Sequence, residues 1–127
     1  ILKFIERIRR DESPIIFGDG NQTRDFVYVD DVVVFLMKAL EIDVNGIFNV
    51  GTGKRTSMNQ LAYTLLEIFG KTHLKPIYKR ARPGDIKHSV ADISRAVETF
   101  SIKPKTPLEE GLRITINSFD AFKCSAV

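Results

Sequence analysis

Helices and short strands alternate along this sequence, which predicts an α/β chain, or α+β taken as an isolated piece. Three observations carry that reading. Apolar residues recur at helical spacing in about five places. Short β-prone runs lie between them. Turn or capping chemistry marks most of the junctions.

The elements follow in order. Ile1, Phe4, Ile5 and Ile8 fall on one helical face, and Lys3, Glu6, Arg7, Arg9 and Arg10 on the other. Arginines in the last turn suit the negative end of the helix dipole, so this helix ends near Arg10-Asp11. Pro14 holds its predecessor extended, and Ile15-Ile16-Phe17 reads as a strand closed by Gly18-Asp19-Gly20. Asp25 to Val29 alternates and is β-prone, which predicts a second strand. Val32 to Met37 fits a buried strand or a buried helix; Asp30 as N-cap and Asp31 in the first turn favour helix. Asn45-Gly46 is a turn before a strand at Ile47-Phe48-Asn49-Val50. Ser57-Met58-Asn59-Gln60 is a capping box. It opens a helix that gathers Met58, Leu61, Ala62, Leu65, Ile68 and Phe69, with Gly70 as a left-handed cap. Pro76 to Lys79 is a short strand. Asp92 caps a helix that points Ile93, Ala96, Val97 and Phe100 inward. Thr106-Pro107-Leu108-Glu109 starts a last helix lined by Leu108, Leu112, Ile116 and Phe119.

The chain has 127 residues, 43% hydrophobic and 28% charged, which fits one domain or part of one. No apolar run approaches the ~20 residues that cross a bilayer. Ile1 stands where an initiator Met would, with a helical pattern already running, and the expectation is a fragment of a longer protein. The single Cys124 cannot close an internal disulfide and suits a reducing, cytoplasmic compartment. It reads as a tail thiol without a role. A net charge of +3 allows an anionic ligand. Lys79-Arg80-Ala81-Arg82 with Lys87 is basic but lacks the interleaved aromatics of a nucleic-acid binder, so no nucleic acid is expected.

Two glycine turns carry arginines: Gly18 to Arg24, and Arg82-Pro83-Gly84-Asp85. A guanidinium offers a phosphate two parallel donors, which an ammonium cannot. Asp85 can accept from a ribose diol. For either arginine alone a surface ion pair is as good a reading, Arg24 with Asp25 or Asp19 for instance; the pair together points to a diphosphate. Other constellations fail. Gly53-Lys54 lacks the earlier P-loop glycine, since Phe48 stands there, and Arg55 replaces Ser or Thr. Gly51 and Gly53 lack the third glycine of a dinucleotide fingerprint, which is Thr56; a strand-to-helix turn is the better reading. His73 reads as an exposed loop residue, and no Cys or carboxylate cluster joins His73 or His88 at metal spacing. Asp30-Asp31 reads as a helix-start pair rather than an acid/base couple.

Residues 14–31 (PIIFGDGNQTRDFVYVDD), 48–53 (FNVGTG) and 82–92 (RPGDIKHSVAD) resemble the C-terminal part of the extended short-chain dehydrogenase/reductase family. Within it they are most similar to the nucleotide-sugar 4-epimerases, those of UDP-glucose in particular. The resemblance covers almost the whole chain. It implies a nucleotide-sugar-binding portion over residues 1–127, with the Rossmann core missing. It implies that the backbone of Ile15 to Phe17 pairs with uracil, with Phe17 packing near the base. Arg24 and Arg82 would grip the diphosphate, Asp85 would bind the ribose, and Phe26 and Met58 would line the pocket. Ser89 stands where relatives often carry an aromatic, a departure at the sugar pocket.

The family's catalytic Tyr-x-x-x-Lys has no match: Tyr28, Tyr63 and Tyr78 are followed four residues on by Val32, Glu67 and Arg82. The resemblance implies that this pair and the NAD fingerprint lie upstream. There, hydride passes from sugar C4 to NAD and returns to the other face. The expected partners are a UDP-sugar and the N-terminal Rossmann portion, with a homodimer possible. Relatives add the strand matching Phe48 to Val50 to the cofactor sheet, so the isolated piece is expected to associate or to leave segments poorly ordered. A 4,6-dehydratase or decarboxylase of the same family, and a stand-alone binding module, stay open as alternatives.

Overall fold

The structure, a computed structural model, describes residues 1–124 and their side chains as far as Phe119. The reading of Cys124 as an idle thiol therefore lies outside the described side chains. The fold is mixed α/β. In chain order it runs α1 (Leu2–Arg9), β1 (Ile15–Phe17), β2 (Thr23–Arg24), α2 (Val29–Glu41), β3 (Thr56–Ser57), α3 (Met58–Ile68), β4 (Ile77–Lys79), α4 (Ser94–Phe100) and α5 (Leu108–Cys124). Five helices surround two strand pairs. β1 and β4 are parallel, with Ile15, Ile16 and Phe17 opposite Ile77, Tyr78 and Lys79. β2 and β3 are antiparallel, with Thr23 opposite Ser57 and Arg24 opposite Thr56.

Helical spacing places the main core. Phe4, Ile5 and Ile8 of α1 meet Ile16 of β1, then Leu61, Ala62, Leu65 and Leu66 of α3, and Leu112 and Ile116 of α5. Ser57 caps α3 as expected: its hydroxyl accepts the Gln60 amide at 3.0 Å. At the other end Gly70 takes φ +63°, Lys71 N donates to Leu66 O, and Gly70 N donates to Glu67 O. That is a Schellman close, which satisfies carbonyls the helix leaves open. α1 ends the same way with Asp11 in the left-handed position at φ 60°. The Lys71 ammonium then donates to Ile8 O at 2.7 Å and pairs with Asp11 at 3.1 Å, which ties the two helix ends together.

α2 and α4 share a second, smaller cluster. Phe35 meets Phe100 edge to face at 6.2 Å, Ala96 belongs to the same cluster, and the Phe48 ring lies 4.9 Å from that of Phe100, tilted at 59°.

Five expectations are corrected. The N-cap of α4 is Ile93 rather than Asp92, whose carboxylate accepts the Ser94 amide from one residue before it. Residues 25–28 are not a strand; Val29 already belongs to α2. They are extended and β-prone, but no strand lies beside them among the described residues. Tyr28 is the N-cap of α2, and Asp30 stands in the first turn. Residues 47–50 are likewise irregular for want of a neighbouring strand. Phe119 is exposed rather than core-facing: it follows Leu112 and Ile116 on the same helical stripe, but the core cluster ends at Ile116.

Asp31 is buried, and its carboxylate reaches across the fold. It accepts the backbone amides of Lys105 at 2.9 Å and Thr106 at 3.1 Å, and so holds the entry to α5 against the start of α2.

Candidate functional site

β1 has one edge taken by β4. Ile77 N donates to Pro14 O and Gly18 N donates to Lys79 O, both at 2.8 Å. The alternation of a parallel ladder turns the Ile15 carbonyl and the Phe17 amide the other way. On that side lies an open cavity of about 550 Å³. Gln22 reaches back along it and donates from its side-chain nitrogen to Phe17 O at 2.6 Å, so that carbonyl is already satisfied.

All seven residues singled out from the sequence meet at this cavity. Ile15 and Phe17 form the strand side, Phe26 and Met58 the apolar wall, and Arg24, Arg82 and Asp85 the polar rim. Two further polar residues on its lining, Lys3 and Gln22, were not singled out. Lys3 was visible only as part of the polar face of α1; Gln22 lay in the turn before Arg24, where side-chain amides commonly bond the backbone.

The two arginines differ in their engagement. Arg24 leaves β2 and spends its fork on the loop that carries Arg82. It donates to Ile86 O at 2.6 Å and to Asp85 Oδ1 at 2.7 Å. It pairs with Asp85, so the ion pair with Asp25 or Asp19 weighed for it is not what forms. Arg82 lies over the Phe17 ring, its guanidinium carbon 4.0 Å from the centroid. Among the described residues it has no ion pair. A stacked guanidinium keeps its edge donors available.

The loop that carries Arg82 is fastened along β2. Thr23 N donates to Lys87 O at 2.8 Å, and Ser89 N donates to Thr23 O at 3.1 Å. His88 Nδ1 sits 3.0 Å from the Thr23 hydroxyl. His88 thus bonds β2 and is not on the cavity lining. His73 is exposed, 3.5 Å from Asp11. Among the described residues no three His, Cys, Asp or Glu converge as metal ligands, and no helix is long and apolar enough to cross a membrane.

Asp25, next to Arg24, is the anchor that sequence reasoning missed. Oδ1 accepts the amide and the hydroxyl of Thr52, and Oδ2 accepts the amides of Gly53 at 2.9 Å and Ala91 at 3.3 Å. Partial burial pushes this carboxyl upward, but the donated hydrogen bonds outweigh it and hold it below the ordinary carboxylate range. The Gly51-Thr52-Gly53 turn therefore grips a carboxylate from its own chain. Two of its amides are not free to cradle a pyrophosphate, which agrees with the absence of a dinucleotide fingerprint.

Comparison with known proteins gives the chain its relatives. The model of the NAD dependent epimerase/dehydratase family matches residues 1–51. A putative UDP-glucose 4-epimerase of Methanocaldococcus jannaschii is 43% identical over 114 residues, which is 90% of this chain and 36% of that protein. UDP-glucuronic acid decarboxylase 6 of Arabidopsis thaliana is 34% identical over 94% of this chain and 34% of its own length. The UDP-glucose 4-epimerase of Thermotoga maritima, solved with UDP-glucose, superposes with a TM-score of 0.86 at 45% identity, over 94% of this chain and 38% of that one. The chain thus spans a little over a third of the length of the relatives it matches. It belongs to the NAD dependent epimerase/dehydratase family, among the extended short-chain dehydrogenases/reductases, and is most like the UDP-glucose 4-epimerases.

Proposed function

We propose that this chain is the nucleotide-sugar-binding portion of a NAD-dependent UDP-sugar 4-epimerase. One observation carries the reading: Arg24 of β2 and Arg82 of a distant loop line one cavity beside a half-free strand edge. Arg82 offers unspent donors to a phosphate. Arg24 offers the nitrogen that now faces Asp85 once Asp85 releases it, its other one donating to Thr23 O and Ile86 O, and Asp85 is then free to accept from the ribose hydroxyls. The Ile15 carbonyl and Phe17 amide present an acceptor and a donor side by side. The imide edge of uracil is their complement, and the Phe17 ring is at hand to pack on the base.

NAD supplies hydride transfer in such enzymes, but these residues do not fit it. The glycine turn that comes nearest to a phosphate cradle is already closed on Asp25. In this reading NAD and the catalytic Tyr and Lys belong to a Rossmann portion of the parent enzyme. This chain supplies binding and orientation, and alone it turns nothing over. The likeness to a UDP-glucuronic acid decarboxylase keeps that reaction as a second reading. The substrate class is unchanged, and the difference rests on acid/base residues outside this chain.

Calorimetric titration of UDP, dTDP and GDP tests the proposal. UDP is expected to bind most tightly, and Arg82→Ala is expected to cost about 2–4 kcal/mol, as removal of a charged partner does. Unchanged UDP affinity in that variant counts against the assignment. Sugar epimerisation by this chain with added NAD would show that a catalytic set had been overlooked.

A further inference from the structure

We propose that Asp25 is a positioning residue that sets the spacing of the two arginines by tying the foot of the Arg82 loop, and the Gly51–Gly53 turn behind it, to the end of β2. The inference rests on the binding role proposed for Arg24 and Arg82. It starts from an oddity: a carboxylate adjacent to an arginine on a strand end turns away from that arginine. Its oxygens go instead to four donors from two distant segments, Thr52 and Gly53 on one side and Ala91 on the other.

The packing shows how closely that arrangement is built. A Cβ on Gly51 would lie 2.7 Å from Asp25 Oδ2 and 2.8 Å from the Ala91 side chain. The backbone of Gly51 is not left-handed, so glycine is needed here for room rather than for its dihedral angles. Only a residue without a side chain lets Asp25 and residue 91 close on the turn.

The consequence for the site follows from connectivity. Residues 85–91 run alongside residues 23–25. Asp85 and Ile86 meet the Arg24 guanidinium, Lys87 and Ser89 meet the Thr23 backbone, and Ala91 meets Asp25. Asp25 is the last fastening of this seam. Without it the downstream end of the loop is released, and once Asp85 gives up Arg24 to a ligand the separation of Arg82 from Arg24 rests on the Ile86, Lys87 and Ser89 bonds alone. A diphosphate needs both guanidinium groups at one separation, whereas the base touches β1 and does not depend on it.

Titration of UDP and of uracil, followed by NMR, tests this on Asp25→Asn. The variant keeps the shape of the side chain but presents an N–H₂ to donors. UDP affinity is expected to fall about 10- to 100-fold, the range for losing hydrogen bonds to a charged group. Uracil affinity should stay within about twofold. Thr52→Val, which removes one donor and keeps the backbone, is expected to give a smaller loss of the same selectivity and serves if Asp25→Asn does not fold. In an Arg82→Ala background Asp25→Asn should cost little more, since the two act through one spacing. Equal losses for UDP and uracil would make Asp25 a general staple of the fold and overturn the inference. Full UDP affinity in both variants would overturn it while leaving the binding role intact. No UDP binding by the unmodified protein would remove the binding role, and this inference with it.

Discussion

The core under the cavity and the cluster under α2 are closed to different degrees. In the first, α1, α3 and α5 each turn an apolar stripe inward, and Ile8, Leu61 and Leu65 are fully buried. In the second, α2 is apolar on nearly every side yet buries Phe35 alone among its large apolar side chains. Val34, Leu36, Met37 and Leu40 are exposed, Leu40 by 83%. A helix that is hydrophobic all round is composed for burial on more than one face; here one face is covered. The cavity therefore stands on the part of the molecule that is finished, with β1 seated directly on the main core through Ile16.

The largest effect that sharpens this contrast is expected from Leu65→Ala, at about 2–5 kcal/mol for a fully buried leucine. Urea denaturation reads it. Next, Gly51→Ala forces a Cβ against Asp25 and Ala91 and should cost about 1–3 kcal/mol, as overpacking does. Thermal melts of that variant should also show loosened amides at Thr52 and Gly53 in hydrogen exchange. Asp31→Asn strands the Lys105 and Thr106 amides and should cost about 1–3 kcal/mol. The smallest effect is expected from Leu40→Lys on the open face of α2, within about 0.5 kcal/mol. A large loss there would mean that this face is covered in solution.

Acid should also separate the two seams. Asp31 is pushed up by burial and pulled down further by the Lys105 and Thr106 amides, so its folded value lies below the ordinary one, as for Asp25. A carboxyl held low in the folded state contributes stability that is whole above its unfolded-chain value near 3.8. That contribution is lost as pH falls through the lower folded value. Asp31→Asn should flatten this acid limb, which chemical denaturation between about pH 5 and pH 2 would show.

What the sequence made legible was whatever one segment settles by itself. The Ser57 cap, the Gly70 close, the β1 run, the inward stripe of α3, and most of that of α1 are local and appear; of the α4 stripe Ala96 and Phe100 are buried while Ile93 and Val97 are half-buried, and Ile1 is exposed. Residues 25–29 and 47–50 were misread as strands because alternation and β-propensity specify an extended chain, while a strand also requires a neighbour. The two-residue pairing of β2 with β3 has no local signature at all. The cavity was legible as two arginines and a strand; their convergence needed the resemblance to a family as well as the residues. Asp25 and Asp31 were read past for one reason. A carboxylate beside an arginine, or at a helix start, already has a sufficient nearby role. The amides these two hold lie 27 to 75 residues away.

Before any ligand arrives, Arg24 already carries its own counter-ion in Asp85. An incoming anion thus exchanges partners with Arg24 instead of meeting a bare cation, and long-range attraction toward the cavity rim falls to Arg82 and Lys3. Ionic strength should therefore govern how fast a nucleotide diphosphate finds the site more through those two side chains than through the guanidinium nearest the strand.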